Sequence, residues 1–393
     1  MRHLQLLTAG ESHGPGLTAI LEGLPMGLKV DPVRLNAQLA RRQEGYGRGG
    51  RMKIEKDQVR VTGGLRRGVT LGSPLALWVE NLDFANWERS MHPEPRRGSK
   101  APKPVTQPRP GHADLAGVLK TGTGDIRNVL ERASARETAA RVAAGSVCRL
   151  LLEELGVMVF SHVLSIGGVK AQVDYGDLAA LAEAAAANDL HVADGDAYAR
   201  MVRTIKAVWK DGDTLGGVAE VVVTGLPAGL GSYVHWERRL DARLGEAILS
   251  IPAVKGMEIG PAFENAQMRG SRVMDVILPA KAAATGLRYA RGSNRMGGLE
   301  GGMTNGEPLL VRGAMKPIST LMQPLDSVDI ATGRAVKAVR ERSDCTAVAA
   351  MGVVMEAMCA LVLADAVLDE FRADTLRDLK QAWRLYRRQQ TRR

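Results

Sequence analysis

The chain has 393 residues, of which 45% are hydrophobic and 24% are charged, a balance that excludes an intrinsically disordered protein. Its formal net charge is +10 at pH 7, but aromatic residues make up only 4%, so the basic excess lacks the stacking side chains of a nucleic-acid-binding surface. A small polyanionic ligand fits this charge better, and we expect no nucleic acid partner.

The sequence carries no export or membrane signal. No run reaches the roughly 18 uninterrupted apolar residues of a membrane span, and the first residues lack the apolar stretch of a signal peptide. The spacings of Cys148, Cys345 and Cys359 fit neither a zinc site nor a disulfide framework. We therefore expect a cytoplasmic protein with no membrane partner and no metal site.

The predicted organisation is one domain over residues 1–370, followed by a basic helix or tail over residues 371–393. No linker rich in Ser or Gly separates two halves of the chain. The tail is basic through Arg384, Arg387, Arg388, Arg392 and Arg393. A solvated chain end explains these arginines better than a binding site does.

Two short strands open the chain. The stretches from Leu4 to Ala9 and from Leu17 to Gly23 have strand character and flank a turn that is marked by glycine and proline. His13 therefore lies at a strand end or in a loop.

A helix with a recognisable start follows. Asp31 is a predicted N-cap, and Pro32 occupies the first helical position. The helical period continues to Arg42 and gives way to Gly45-Tyr46-Gly47-Arg48-Gly49. Glycine at this density lets the backbone approach a ligand while the arginines reach over it.

Strands and a long loop come next. The stretches from Val59 to Thr62 and from Val69 to Asn81 are predicted strands. Residues 92–111 combine prolines with basic residues and show no apolar period, which predicts an extended binding loop. This loop leads into Arg109-Pro110-Gly111-His112-Ala113-Asp114.

Two long helices are predicted to lie in the core, because they are small or apolar nearly all round. They run from Asp125 to Leu155 and from Val348 to Leu368. Strand candidates between them are Met158 to Val163, Val218 to Thr224, Val273 to Ile277, and Leu309 to Met315 in a hairpin turned by Asn305-Gly306. With no parallel-sheet signature, this pattern predicts an α+β fold in which buried helices lie inside antiparallel strands.

Two histidines stand in contexts that suit proton transfer. His13 is held in a turn between glycines, and an imidazole titrates near neutral pH, although a surface or capping histidine remains an alternative. His112 lies beside Arg109 and Asp114, and burying such groups unpaired would cost several kcal/mol. A site role is therefore favoured for His112.

Three further segments are candidates with ordinary alternatives. The polar cluster from Arg127 to Thr138 could bind an anion or simply begin a helix with salt bridges, and Arg132 and Arg136 should share a helical face. The glycines at 297–306 and the stretch 314–320 could hold a phosphate group, although a Gly-rich hairpin is weak evidence. Asp344, flanked by arginines, could serve as a base or form a surface ion pair.

Taken together and in order, these segments closely resemble the chorismate synthase family along roughly residues 4–370. The resemblance implies a lyase that removes phosphate and a ring proton from 5-enolpyruvylshikimate 3-phosphate by 1,4-anti elimination, which gives chorismate in the last common step of aromatic amino acid biosynthesis. It implies reduced FMN as cofactor, although the net reaction is redox neutral. It also implies a homotetramer and a β-α-β sandwich with a helical core between antiparallel sheets.

The resemblance also assigns roles by position. It implies that His13 protonates the departing phosphate, that His112 protonates the reduced flavin, and that Asp344 lies near the flavin and helps it to take the substrate proton. The implied substrate-binding arginines are Arg42, Arg48, Arg51, Arg109 and Arg136. The implied FMN contacts are Arg132, Ala133, Ser134, Pro252, Ala253, Gly301, Lys316, Pro317, Ile318, Ser319, Thr320 and Arg342.

Two other functions would explain parts of the sequence. A flavin reductase or oxidase would consume NADPH or oxygen with turnover, and a non-catalytic basic protein would bind nucleic acid with a steep salt dependence. We find no nicotinamide fingerprint. We therefore predict a monofunctional enzyme that depends on an external flavin reductase for reduced FMN.

Overall fold

The computed structural model describes residues 2–49, 56–94, 102–279, 288–341 and 344–392. Its α-helices are α1 Pro32–Gln43, α2 Phe84–Met91, α3 Asp114–Thr121, α4 Arg127–Ala133, α5 Thr138–Glu153, α6 Leu178–Ala186, α7 Gly195–Lys210, α8 Leu240–Leu249, α9 Ala262–Asn265, α10 Gly270–Val273, α11 Val348–Phe371 and α12 Leu376–Arg392. Short 3-10 helices cover Ala135–Glu137 and Trp236–Arg238.

The strands are short, and most belong to two sheets. They are β1 Gln5–Ala9, β2 Gly16–Glu22, β3 Val59–Gly63, β4 Leu65–Arg66, β5 Val69–Thr70, β6 Leu75–Glu80, β7 Met158–Ile166, β8 Val169–Lys170, β9 Gly217–Thr224, β10 Val254–Ile259, β11 Ile277–Pro279, β12 Tyr289–Arg291, β13 Leu299–Glu300, β14 Met303–Thr304, β15 Leu309–Met315, β16 Asp326–Val328 and β17 Ala335–Lys337.

The two main sheets are antiparallel and enclose the helical core. One has the strand order β1-β2-β6-β3, and the other has the order β10-β15-β9-β7-β8. Helix α5 packs on β2 and β6, helix α11 packs on β7 and β9, and the two helices pack on each other. The predicted α+β fold with buried helices between antiparallel sheets is confirmed.

Small residues let α5 and α11 approach closely. A Cβ atom at Gly145 in α5 would lie 2.5 Å from the Cβ of Ala357 in α11, closer than packed carbon atoms can approach. Helix α11 is long and apolar enough to span a membrane, but its apolar stretch is buried inside the protein, as the core helices of soluble proteins also are. Its all-round hydrophobicity is therefore explained by packing between two sheets.

The helix predicted from Asp125 to Leu155 is wrong as one continuous element. Ser134 has an extended backbone, with φ −67° and ψ 141°, and it separates α4 from the 3-10 helix that precedes α5. Its side chain accepts a hydrogen bond from the backbone N–H of Arg136, as an N-cap does. Because of this break, Arg132 and Arg136 do not share a helical face, which corrects that prediction as well.

Two strand predictions are also corrected. The stretch from Val273 to Ile277 is not one strand, because α10 ends at Val273 and β11 begins at Ile277. Strand β15 lies between β9 and β10 rather than in a hairpin turned by Asn305-Gly306. Those two residues follow the small β13–β14 hairpin, and the Asn305 side chain donates to Glu300 of that hairpin at 3.0 Å.

The C-terminal residues form helix α12. Trp383 of this helix is buried, and its ring lies 5.6 Å from the ring of Phe371 at the end of α11. The Tyr386 hydroxyl donates a hydrogen bond to the Ala228 carbonyl at 3.0 Å. This helix packs through its aromatic side and carries the basic tail residues Arg384, Arg387, Arg388 and Arg392, while Arg393 lies outside the described residues.

A buried ionic cluster joins three helices and a strand. Glu356 of α11 accepts hydrogen bonds from Arg41 of α1 at 2.8 Å, from Arg149 of α5 at 2.7 Å and from Ser161 of β7 at 2.7 Å. Burial alone would raise the pKa of Glu356, but the two guanidiniums and the hydroxyl lower it to about 2. The carboxylate therefore stays ionised and holds the end of α1 against the core.

Removing this charge should make stability less dependent on acid. We expect Glu356→Gln to lower the free energy of unfolding at neutral pH by about 3 kcal/mol, the lower end of the range for a buried ion pair, because two partly buried guanidiniums lose their charged partner. An unfolded Glu titrates near pH 4.3. Because the pKa of Glu356 is lower in the folded protein, its contribution to the free energy of unfolding is complete above about pH 5 and is lost as the pH falls towards 2.

Urea denaturation from pH 7 to pH 3, followed by circular dichroism, measures the gap in the free energy of unfolding between wild type and Glu356→Gln. Glu22→Gln, at an exposed position of β2, is the control and should change stability by less than about 0.5 kcal/mol. A Glu356→Gln gap that stays constant down to pH 3 would contradict the assignment of an ionised, paired carboxylate.

Candidate active site

One large cavity of about 940 Å³ lies beside the N-terminal part of α11. Its other walls come from the segments that follow β1, α1 and β15, from helices α2 and α4, and from the loop before β10. This size is at the upper end of the roughly 300–1,000 Å³ of ligand pockets. The fold thus gathers residues from both ends of the chain around one space.

The wall of this cavity is predominantly cationic. Among the described residues, six basic side chains line it against three acidic ones. The basic residues are Arg42, Arg48, Arg109, Arg136, Lys316 and Arg340, and the acidic residues are Asp83, Glu341 and Asp344. Such an excess in a partly enclosed space attracts anions.

Two of the arginines share a buried carboxylate. Asp57 lies 3.3 Å from a terminal nitrogen of Arg42 and 2.5 Å from one of Arg136. Arg136 also donates to Asn81 at 2.8 Å, and Arg42 donates to Thr138 at 3.0 Å. Burial lowers the pKa of Arg42 to about 10, and Asp57 opposes that fall, so the guanidinium remains charged at neutral pH.

The Gly-rich segment after α1 brings Arg48 to Asp344. The guanidinium of Arg48 lies 3.3 Å from the Asp344 carboxylate, which also accepts the backbone N–H of Gly49 at 2.6 Å. Gly47 has φ +92°, and a Cβ there would lie 2.8 Å from Ile205, so only glycine fits this approach. These glycines were predicted to let the backbone approach a ligand; at Gly47 the close approach in the structure is to the protein's own Ile205.

His13 follows β1 and contacts a carboxylate that sequence reasoning did not select. Its Nδ1 lies 3.0 Å from both carboxylate oxygens of Glu131, and its backbone N–H donates to the same carboxylate at 2.8 Å. The imidazole also stacks on Trp87, with ring centroids 4.0 Å apart. His13 and Trp87 both line the cavity.

His112 is held by the acid of its own motif. Its Nδ1 lies 2.5 Å from the Asp114 carboxylate, which also accepts a hydrogen bond from Nε of Arg109 at 2.9 Å. Burial alone would raise the pKa of Asp114, but hydrogen bonds from His112 and Arg109 hold it well below its usual range. Arg109 in turn donates to the Thr320 hydroxyl at 3.0 Å, which ties this motif to the segment after β15.

Most residues that the resemblance assigns to the cofactor line the same cavity. They are Ala133, Ser134, Pro252, Ala253, Lys316, Ile318, Ser319 and Thr320. Ala253 adopts φ +68°, an uncommon conformation for a residue with a Cβ atom. Burial and the nearby Lys255 both lower the pKa of Lys316, as expected in a region of excess positive charge that a bound anion would neutralise.

Three other predicted residues do not line the cavity in the part of the chain that the structure describes. The Arg132 side chain donates to the backbone carbonyls of Thr8 at 2.9 Å and Gly10 at 3.2 Å. Gly301 lies in the β13–β14 turn, and Pro317 does not contribute to the described lining. Arg51 and Arg342 lie outside the described residues.

Sequence reasoning missed Asp57, Glu131 and Trp87. Asp57 belongs to no motif, and α2, which carries Trp87, was not predicted. Glu131 lies inside the polar cluster from Arg127 to Thr138. Its signal in the sequence is that it is the first carboxylate in a segment that carries three arginines. Asp57 and Glu131 contact predicted residues but do not themselves line the cavity, so no sequence motif marks them.

Comparison with known proteins agrees with this geometry. The family model described as chorismate synthase matches residues 4–368. The chain belongs to the chorismate synthase family. As a member of the chorismate synthase family it is an enzyme, a lyase, as the sequence predicted, and the interpretation as a non-catalytic binding protein is set aside.

Relatives extend the match over the whole chain. A chorismate synthase of Enterococcus faecalis is 52% identical over 387 residues, which are 98% of each protein. One from Listeria monocytogenes is 52% identical over 382 residues, which are 96% of this chain and 97% of the relative. A solved structure titled "Crystal Structure of Chorismate Synthase" is 38% identical, with a TM-score of 0.79 over 100% of both chains.

The shared carboxylate predicts a response to anions. We expect Asp57→Asn to lower the free energy of unfolding by about 3 kcal/mol or more, because two buried guanidiniums lose their common partner. Sulfate should recover part of this loss by binding in the cavity, at equal ionic strength with chloride. Thermal unfolding with and without sulfate measures both effects.

Asp326→Asn is the control, because the Asp326 side chain is 91% exposed. This control should show neither the loss nor the recovery by sulfate. An Asp57→Asn variant that is as stable as wild type, or one that sulfate stabilises no more than chloride, would refute a cavity that concentrates positive charge.

Proposed function

We propose that the cavity binds 5-enolpyruvylshikimate 3-phosphate beside reduced FMN and eliminates phosphate and a ring proton to give chorismate. The observation that carries this proposal is the meeting of His13 and His112 in one cationic cavity. Membership of the chorismate synthase family supports the reaction.

The proposed substrate matches the charge of the wall. It bears two carboxylates and a phosphate, and hydrogen bonds to charged groups contribute roughly 1.5–3 kcal/mol each. Arg42, Arg48, Arg109 and Arg136 line the cavity and are the proposed substrate-binding residues. Arg51, outside the described residues, is included from its place in the motif.

The described residues also fit FMN. Lys316, Ser319 and Thr320 offer an ammonium group and two hydroxyls for a phosphate. Gly111, at φ +72°, leaves space beside them, since a Cβ there would lie 3.9 Å from Lys316 Nζ. Ile251 and Val354 provide apolar wall for a ring system.

The other proposed FMN contacts are Ala133, Ser134, Pro252, Ala253, Pro317, Ile318 and Arg342. Arg132 and Gly301 lie away from the described lining, and the proposal omits them, whereas Pro317 is kept because its neighbours Lys316 and Ile318 both line the cavity. When bound, reduced FMN would lend electron density transiently to the elimination.

The protein groups manage charge and protons. His13 is the proposed acid that protonates the departing phosphate, and the arginines stabilise the negative charge that grows on it. His112, oriented by Asp114, is proposed to hold a proton at the cofactor. Asp344, held by Arg48 and the Gly49 N–H, is proposed to assist removal of the ring proton.

Anaerobic phosphate release decides the proposed reaction. With reduced FMN and 5-enolpyruvylshikimate 3-phosphate, wild type should release one phosphate per chorismate formed. His13→Ala and His112→Ala should each lower kcat by roughly 10²–10⁴-fold, the contribution of a positioned acid or base. His3→Ala is the control, because its side chain is 32% exposed, pairs with Asp369 and lies outside the described lining.

No phosphate release by wild type under these conditions would refute the proposed reaction. Unchanged rates in both histidine variants would refute the proposed roles alone. Full activity in His3→Ala would show that the losses are specific to the cavity.

The enzyme should also need its reduced flavin from outside. We propose that it is monofunctional, with an external flavin reductase as partner, because the sequence lacks a nicotinamide fingerprint. The purified protein with oxidised FMN and NADPH should therefore form no chorismate until a flavin reductase is added. Stoichiometric oxidation of NADPH by the purified protein alone would overturn this part.

We further propose a homotetramer in the cytoplasm. Large apolar side chains are exposed in two stretches: Tyr233, Val234 and Trp236 before α8, and Met274, Val276 and Ile277 around β11. Exposed apolar side chains grouped in this way are typical of surfaces that other chains cover. These stretches therefore support self-association.

A further inference from the structure

Glu131 is a buried carboxylate in direct contact with His13. Its side chain is 3% exposed, and both of its oxygens lie 3.0 Å from Nδ1 of His13. One oxygen also accepts the His13 backbone N–H at 2.8 Å. The main chain and the ring of His13 are therefore fixed by the same carboxylate.

Arg127 holds Glu131 from the other side. It lies one helical turn earlier in α4, and its guanidinium is 2.7 Å from Glu131 and 3.3 Å from Glu341. The same guanidinium lies over the ring of Trp87, 4.9 Å from the centroid, and Trp87 stacks on His13. These contacts thus run in a ring from Arg127 through Glu131, His13 and Trp87 back to Arg127.

Glu131 is ionised in this arrangement. Burial alone would raise its pKa, but hydrogen bonds from His13 and Arg127 lower it below the ordinary value. An ionised carboxylate can only accept hydrogen bonds, so Nδ1 of His13 is the donor in this contact. Any proton that His13 delivers must then leave from its other nitrogen.

We propose that Glu131 is a positioning residue for the elimination, which orients His13 and stabilises its protonated form, and that Arg127 fixes Glu131 in turn. The inference rests on the proposed function. As the carbon–oxygen bond breaks and its electron pair leaves with phosphate, His13 gives one proton to a phosphate oxygen and becomes neutral. Glu131 keeps its hydrogen bond from Nδ1 and takes no proton itself.

Glu131→Gln tests the role directly. We expect kcat for anaerobic phosphate release to fall by at least about tenfold, and by no more than the roughly 10²–10⁴-fold expected when the acid itself is lost. The KM for substrate and the affinity for FMN, measured by quenching of flavin fluorescence, should change less than about twofold, because Glu131 touches His13 rather than the ligands. Glu137→Gln is the matched control, since Glu137 is also buried but pairs with Arg141 at 2.9 Å.

A double-mutant cycle separates positioning from general damage. In the His13→Ala background, Glu131→Gln should cause no further loss, since interacting residues are not additive. A further loss of the same size, weaker FMN binding, or wild-type kcat in Glu131→Gln would each overturn the inference. Activity of wild type tests the proposed function, and the variants test the role of Glu131, so failure of the one is distinguishable from failure of the other.

Fluorescence supplies a readout that needs no turnover. A protonated imidazole quenches an indole that it stacks against, and Trp87 stacks on His13. At one fixed pH, introducing His13→Ala into Glu131→Gln should change the tryptophan emission less than introducing it into wild type, because the amide no longer holds the ring against Trp87 as the carboxylate does. Equal changes would overturn the inference, and Arg127→Gln, expected to act in the same direction, replaces Glu131→Gln if that variant does not fold.

Discussion

Cationic side chains can stay charged away from water only if a carboxylate lies against them, and this requirement organises the cavity. Asp57 serves Arg42 and Arg136, Asp114 serves Arg109 and His112, and Glu131 serves His13. These three carboxylates are fully or almost fully buried, so their charges interact with basic side chains of the protein itself. What remains for a ligand is the excess of positive charge, because each of these carboxylates lies against two basic side chains, Glu131 also contacting Arg127.

The sandwich makes this pairing possible. The cavity draws residues from the ends of β1, α1 and β15 and from the start of α11, elements that are far apart in sequence. The end of α1 shows how packing sets the chemistry: Arg41 turns into the core to meet Glu356, while the next residue, Arg42, meets Asp57 at the cavity. The core ion pair therefore fixes the direction in which the neighbouring guanidinium points.

Local chemistry made much of the fold predictable. The Asp31 cap with Pro32 predicted the start of α1, and all-round hydrophobicity predicted the burial of α11. The break at Ser134 was missed, because a serine inside an otherwise helical pattern leaves no periodic signal. The position of β15 between β9 and β10 was missed because strand order depends on long-range pairing, which a local turn such as Asn305-Gly306 does not report.

The candidate site was predictable where residues carry chemistry and unpredictable where they only support it. His13, His112 and Asp344 stand in compact motifs, and all three line the cavity. Asp57 and Glu131 were missed because a carboxylate that orients another side chain can come from any element that packs nearby. Spatial neighbours of this kind become visible only when the chain is folded.

Position within a motif does not by itself fix a role, as the end of α4 shows. Arg132 was assigned to the cofactor, but its guanidinium binds the carbonyls of Thr8 and Gly10, just before the His13 turn. The Glu131 carbonyl accepts the backbone N–H of Ser12 at 3.0 Å in the same turn. Two consecutive residues of α4 therefore hold the main chain around His13 while the Glu131 carboxylate holds its ring. Ser134, where the helical pattern breaks, donates its hydroxyl to Ser12 of the same turn at 3.1 Å, so the interruption that sequence periodicity concealed lies against the turn that carries the proposed acid.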